Sequence, residues 1–212
     1  MSQHLRIGGA SGFWGDSSVA TPQLLAAGGL DFIVYDYLPE ITLAILARAR
    51  GKDPTTGYAT DFVSAAMAPN LAEIAKQGVR IVSNAGGMNP EACAAARRVE
   101  IKKQELRHKV AVVTGDDLLA RAAEIAEAPP RDMFRGTSLP PVEKIASINA
   151  YLGAFPIVAA LDRGADIVVT GRCVDSAVTL GAAIHHFGWT TKDLDALAGG
   201  SLAGHILECG PQ

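Results

Sequence analysis

The sequence predicts a three-layer α/β domain, a mainly parallel sheet with helices on both faces. Three observations predict it. Five short apolar runs recur along the 212 residues, each is bounded by Gly, Asp or Asn, and helical patterns separate them. Hydrophobic residues make up 49% of the chain and charged residues 19%, which is enough apolar material to bury a sheet on both sides.

The runs occupy residues 5–9, 31–35, 79–83, 109–113 and 166–170, each too short for a helix and too apolar for an exposed strand. A first helix is expected from Thr21-Pro22, an N-cap followed by proline at the first helical position. Residues 38–50 place Leu38, Ile41, Ile45 and Leu46 on one helical face, and Gly51 stops them. Residues 60–77 form an Ala-rich helix that Pro69 kinks or divides. Residues 90–106, 116–128, 155–163 and 174–187 complete the set. Strands alternating with helices imply right-handed crossovers, hence a single Rossmann-like domain over residues 1–212. Residues 129–144 break the rhythm with Pro129, Pro130, Gly136, Pro140 and Pro141; they are either a surface excursion or a flap over a site.

Charge and cysteine usage narrow the class. The formal net charge is −3, and the basic residues are scattered, which argues against nucleic acid as a partner. The densest basic spots, Arg97-Arg98 and Lys102-Lys103, suit the wet side of one helix. Cys93, Cys173 and Cys209 make no disulfide framework, so a reducing compartment is expected. Met1-Ser2-Gln3-His4 opens no leader, and no apolar run approaches the ~20 residues of a membrane span. The expectation is a cytoplasmic protein without a membrane partner.

In parallel sheets the ligand site lies beyond the carboxyl ends of the strands, so the chemistry is sought in the loops there. After the first run, Gly9, Gly12 and Gly15 match a dinucleotide turn, and Asp36 ends the second run where a ribose acid belongs. Against that, Asp16 sits where a pyrophosphate needs bare N–H groups, the loop to Thr21 is long, and the chain has no Tyr-x-x-x-Lys pair. After the third run, Gly86 and Gly87 expose backbone amides, and Asn89 caps a helix begun by Pro90. The segment reads as an anion cradle or as a tight turn with Asn84 satisfying its backbone. After the fifth run, Gly171 permits close approach, Arg172 offers a fork for a carboxylate or phosphate, and Asp175 orients it or moves a proton. The plain alternative is a local Arg172–Asp175 ion pair. Asn149 and Tyr151 either line the cleft or cap a helix.

Other chemistries find no motif. His205 and Cys209 share a helical spacing, but two ligands do not make a metal site, and neither Cys-x-x-Cys nor His-Glu-x-x-His completes it. Gly-x-Ser-x-Gly and Gly-x-x-x-x-Gly-Lys-Ser/Thr are absent. Cys173 beside Arg172 reads as a packed thiol, or as one with a lowered pKa. No metal and no cofactor are expected.

Six blocks, in order, resemble one family. They are Ser11-Gly12-Phe13-Trp14-Gly15-Asp16, Asp36-Tyr37-Leu38-Pro39-Glu40, Asn84-Ala85-Gly86-Gly87-Met88-Asn89-Pro90, Asn149-Ala150-Tyr151-Leu152-Gly153-Ala154, Thr170-Gly171-Arg172-Cys173-Val174-Asp175 and Ala203-Gly204-His205-Ile206-Leu207-Glu208-Cys209-Gly210. Together they are similar to the acyclic terpene utilisation (AtuA-like) family over nearly the whole chain. The resemblance implies bacterial catabolism of acyclic terpenes through branched acyl-CoA thioesters, with the family's residues mapping onto Ser11, Asp16, Asp36, Glu40, Asn84, Asn89, Asn149, Arg172, Asp175 and Glu208. It also implies a longer architecture, of which this chain is the N-terminal part or a shortened form.

The sequence is compatible with three functions. The first is a lyase or hydratase on a small anionic acyl substrate, either the acid or an acyl-CoA. Asp175, Asp36 and Arg172 are its catalytic candidates; Ser11, Asp16, Asn84, Gly86, Gly87, Asn89, Asn149 and Gly171 are its binding candidates. The second is an NAD(P)-dependent oxidoreductase using the Gly9-Gly12-Gly15 loop. The third is a non-catalytic subunit of the same pathway. A homo-oligomer, or a separate subunit supplying the absent C-terminal part, is the expected assembly.

Overall fold

Buried side chains on both faces of each central strand dictate the layering. The computed structural model describes residues 4–209. Five strands, β1 (Ile7–Gly9), β2 (Phe32–Tyr35), β3 (Arg80–Ser83), β4 (Val110–Val113) and β5 (Ile167–Thr170), form one parallel sheet in the order β1-β2-β3-β5-β4. Alternate residues divide between two cores. Ile33, Tyr35, Ile81, Ile167 and Val169 face one core, whereas Phe32, Val34, Val82 and Val168 face the other.

Eight α-helices flank the sheet among the described residues: α1 (Ala20–Ala27), α2 (Glu40–Lys52), α3 (Leu71–Gln77), α4 (Pro90–Lys103), α5 (Ala122–Glu127), α6 (Phe155–Asp162), α7 (Ala177–Phe187) and α8 (Leu194–Leu207). Helices α1 to α4 and a π-helical turn at Phe62–Met67 pack on the first core; α6, α7 and part of α8 pack on the second. The strand order explains the division. The chain steps from β1 to β3 in one direction, skips a position to β4, then returns to β5, and a return step moves a right-handed crossover to the opposite face. The segments leaving β3 and β5 therefore diverge, and the crevice between them is the switch point of the sheet.

Several local expectations are corrected. Helix α1 begins at Ala20 after Val19, and Thr21 is no cap; its buried hydroxyl lies 2.9 Å from the Tyr35 hydroxyl. The helix expected from residue 116 starts later, because Asp117 accepts the Leu119 N–H (3.0 Å) and a 3-10 turn, Leu119–Arg121, precedes α5. Residues 60–77 do divide near Pro69, into the π-helical turn and α3. Arg97 lies not on a wet face but fully buried, its Nη1 donating to the Val63 carbonyl of the π-helical turn (2.9 Å). Helix α8 carries Gly199, Gly200 and Gly204, which dilute its helical pattern, yet Gly204 lets it approach the Ser176 backbone. No described helix is long and apolar enough to cross a membrane.

Candidate functional site

Register gathers the site. Tyr35, Ser83 and Val169 lie side by side, so the residues that follow them, Asp36, Asn84 and Thr170, emerge on one rim at the switch point. On the other side Val113 pairs with Thr170, which brings Asp116 beside Gly171 and Arg172.

Asp36 is 5% exposed. Its Oδ1 accepts the Asn84 Nδ2–H (2.5 Å) and the Leu38 N–H (3.2 Å). Asn84 is oriented in turn by accepting the Tyr37 N–H on Oδ1 (2.7 Å). The Ser11 hydroxyl donates to the Asp36 carbonyl (2.9 Å), so Ser11 ties β1's loop to the site without facing a ligand. Burial pushes the Asp36 carboxyl up to about 6; the Asn84 bond opposes that shift, and the charge of nearby Asp175 reinforces it.

Arg172 forms the other half. Its side chain is 1% exposed, while that of its partner Asp175, bound through Nη1, is 37% exposed. Nη2 lies 3.5 Å from Glu40 Oε1, and the Glu40 side chain is 79% exposed. The Tyr151 ring covers the guanidinium at 3.9 Å, and the Tyr151 hydroxyl donates to Glu40 Oε1 (2.7 Å). That bond, more than the Arg172 charge, holds the Glu40 carboxyl below its ordinary range. Nε of Arg172 is buried without a hydrogen-bond partner.

Asp116 organises this half and was not singled out from the sequence. It is buried; its Oδ2 accepts the Arg172 N–H (2.7 Å) and the Asn149 Nδ2–H (2.9 Å), and its carbonyl accepts the Ala150 N–H (2.8 Å). A Cβ on Gly171 would stand 2.5 Å from Asp116 Oδ2, so only glycine lets the carboxylate in. Asn149 and Gly171 therefore serve the loop. The available signal was positional: Asp116 follows β4 just as Asp36 follows β2.

Other candidates do not converge on the rim. Three amides of this segment bond within the chain, as the tight-turn reading expects: Gly87 N–H to the Asn84 carbonyl (3.1 Å), Met88 N–H to Gly57 (2.8 Å) and Asn89 N–H to Gly86 (2.8 Å). Gly86 is needed for close packing, since a Cβ there would meet Pro90 Cβ at 2.6 Å. Asn89 caps α4, accepting the Ala92 N–H (3.2 Å), and donates to the Pro54 and Thr56 carbonyls. Asp16 turns back to the Gly12 N–H (2.9 Å) and lines a separate hollow with Tyr37 and Asp61. Cys173 is buried, and desolvation pushes its thiol up to about 12, the packed and inert reading.

The Gly9-Gly12-Gly15 loop is occupied by the chain itself. A Cβ on Gly9 would meet the Leu207 carbonyl at 2.6 Å, and one on Gly12 would meet Cys209 Cα at 2.9 Å. Gly12 and Gly15 donate their N–H groups to Asp16 and Asp61, each at 2.9 Å. A pyrophosphate would have to displace the end of α8 and two carboxylates. His205 pairs with Glu208 (2.8 Å), and no group of three or more His, Cys, Asp or Glu among the described residues is placed to hold a metal ion.

Neither the curated proteins nor the solved structures contain a match to this chain. A family match does exist, described as acyclic terpene utilisation family protein AtuA, over residues 5–212. It takes in the whole rim, from Ser11 through Asp36, Asn84 and Asp116 to Arg172 and Asp175. The chain belongs to the acyclic terpene utilisation family.

Proposed function

We propose that the chain is an enzyme that moves a proton on a branched acyl substrate, as the acid or its CoA thioester, in lyase or hydratase chemistry. The observation that carries this reading is Asp36, a carboxyl buried on the rim beside the sheet's switch point and pushed up to about 6. A carboxyl in that range is largely ionised at neutral pH yet still basic enough to take a proton from carbon beside an acyl carbonyl. Both its bonds converge on Oδ1, which fixes the carboxyl plane and leaves Oδ2 for the proton. Arg172, the buried cation whose charge reaches Asp36, binds the substrate's anionic end, and Asp175 keeps that cation oriented.

The dinucleotide reading has no comparable support, because its glycine loop is filled by Leu207 and Cys209. The test is to incubate the protein in deuterium oxide with branched enoyl- and hydroxyacyl-CoA thioesters and follow mass. Addition or loss of water, or deuterium uptake beside the carbonyl, is expected for the wild type and not for Asp36→Asn. Neither turnover nor exchange with any member of the series would end the proposal.

A further inference from the structure

Arg172 holds an incomplete set of bonds for a buried guanidinium. A guanidinium carries five N–H donors, yet Asp175 engages only Nη1 and Nε has no partner. Nη2 reaches Glu40 only at 3.5 Å, the outer limit of a hydrogen bond, and the Tyr151 hydroxyl is the guanidinium's one further side-chain partner. Nε and Nη2 form the side-on edge of the guanidinium, the edge that takes a planar carboxylate through two parallel bonds. Glu40 presents one oxygen to that edge, at long range.

Glu40 is also the partner free to leave. It is the first residue of α2, and its side chain is 79% exposed over an arginine that is 1% exposed. The Tyr151 cover is held from both sides: Ala150 N–H donates to Asp116 (2.8 Å) and Leu152 N–H to the Arg172 carbonyl (3.3 Å). If Glu40 swings into water, the Tyr151 hydroxyl and Nη2 lose the oxygen they share, Glu40 Oε1, and Nε, already without a partner, remains beside Nη2.

Resting on the proposed function, we infer that Glu40 is an internal stand-in for the substrate's carboxylate and that the substrate is an acyl compound with a free carboxylate, which takes its place. The exchange is one singly charged group for another, so the charge beside Asp175, Asp36 and Asp116 does not change. A phosphate dianion would add a charge to a rim already crowded with carboxylates, and the site discriminates against it.

The test is calorimetric titration of 3-methylbutanoate, with inorganic phosphate as the control, into wild type, Glu40→Gln and Arg172→Lys. An internal competitor lowers apparent affinity by the fraction of molecules it leaves open, so Glu40→Gln is expected to bind 3-methylbutanoate about tenfold more tightly than wild type. Arg172→Lys is expected to lose that binding, and phosphate to gain nothing from Glu40→Gln. Binding that Arg172→Lys abolishes but Glu40→Gln leaves unchanged or weakens would overturn the exchange and leave Arg172 as an anion site. Equal enhancement for phosphate would overturn the carboxylate assignment. No binding to wild type or Glu40→Gln would remove both the exchange and Arg172's role in the proposed function.

Discussion

The guanidinium of Arg172 lies beneath the ring of Tyr151, its central carbon 3.9 Å from the ring centroid. The ring shields the charge from water and, through its hydroxyl, also holds Glu40 (2.7 Å), so one side chain governs both the burial of the cation and the position of its outer anion. A buried cation with so few partners needs that cover.

Tyr151→Ala is expected to lower stability by about 1–2 kcal/mol, the range of a desolvated cation–aromatic contact. Tyr151→Phe keeps the ring and loses the hydroxyl's contacts with the mostly exposed Glu40 carboxylate and with the guanidinium, so it should cost about 1 kcal/mol at most. Urea unfolding of the three proteins separates these effects. Equal losses in the two variants would show that the hydroxyl, not the stack, holds the site.

Asp36 gives the folded protein a pH signature. Its carboxyl rises from an ordinary 3.8 to about 6 on folding, so the native state holds the proton more tightly than the unfolded chain. That contribution is fully present below about pH 4 and is lost as pH rises through about 6. The change amounts to at most about 3 kcal/mol. Asp36→Asn preserves an oxygen for Asn84 and Leu38 but cannot titrate. Measured by urea midpoints from pH 4 to 8, the difference between variant and wild type should shift in favour of the variant across that window. A difference that stays flat would mean that the carboxyl titrates normally.

Asp116 should prove a greater loss than its position on a loop suggests. Asp116→Ala strands the buried Arg172 N–H and the Asn149 amide, at about 2–4 kcal/mol. Asp116→Asn retains an oxygen for both donors and should lose less than half as much. Thermal unfolding of the pair checks this, and equal losses would assign the effect to the negative charge.

The sheet was legible because each strand is a short apolar run, and the rim was legible because strand ends in parallel sheets are where ligands bind. Asp36, Asn84, Arg172 and Asp175 were found that way. The glycine-paired turn stayed open between two readings for a physical reason: sequence shows that Gly86 and Gly87 free the backbone, but not that Asn84, Gly57 and Gly86 carbonyls then take the amides of Gly87, Met88 and Asn89. Asp116 was hidden because Gly115-Asp116-Asp117 looks like a helix start, and only the pairing of β4 with β5 reveals which carboxylate turns inward. The partnership of Glu40 with Tyr151 spans 111 residues and has no local signal at all.

The glycine loop after β1 offers the sharpest choice between two structural readings. A Cβ on Gly12 would press on Cys209, 2.9 Å from Cα and 3.0 Å from its carbonyl oxygen, and backbone cannot yield as a flexible side chain can. Gly12→Ala is therefore expected to cost about 1–3 kcal/mol, the range for overpacking a fitted contact. The strain falls on the end of α8, so amide exchange should quicken there first, from about Gly204 onward, while β2, β3 and β5 stay protected. The same occupancy predicts that NADH fluorescence shows no binding to the wild type up to millimolar concentration. Tight NADH binding that Gly12→Ala abolishes, with α8 protection unchanged, would mean that the loop serves a dinucleotide and that Leu207 and Cys209 yield to it.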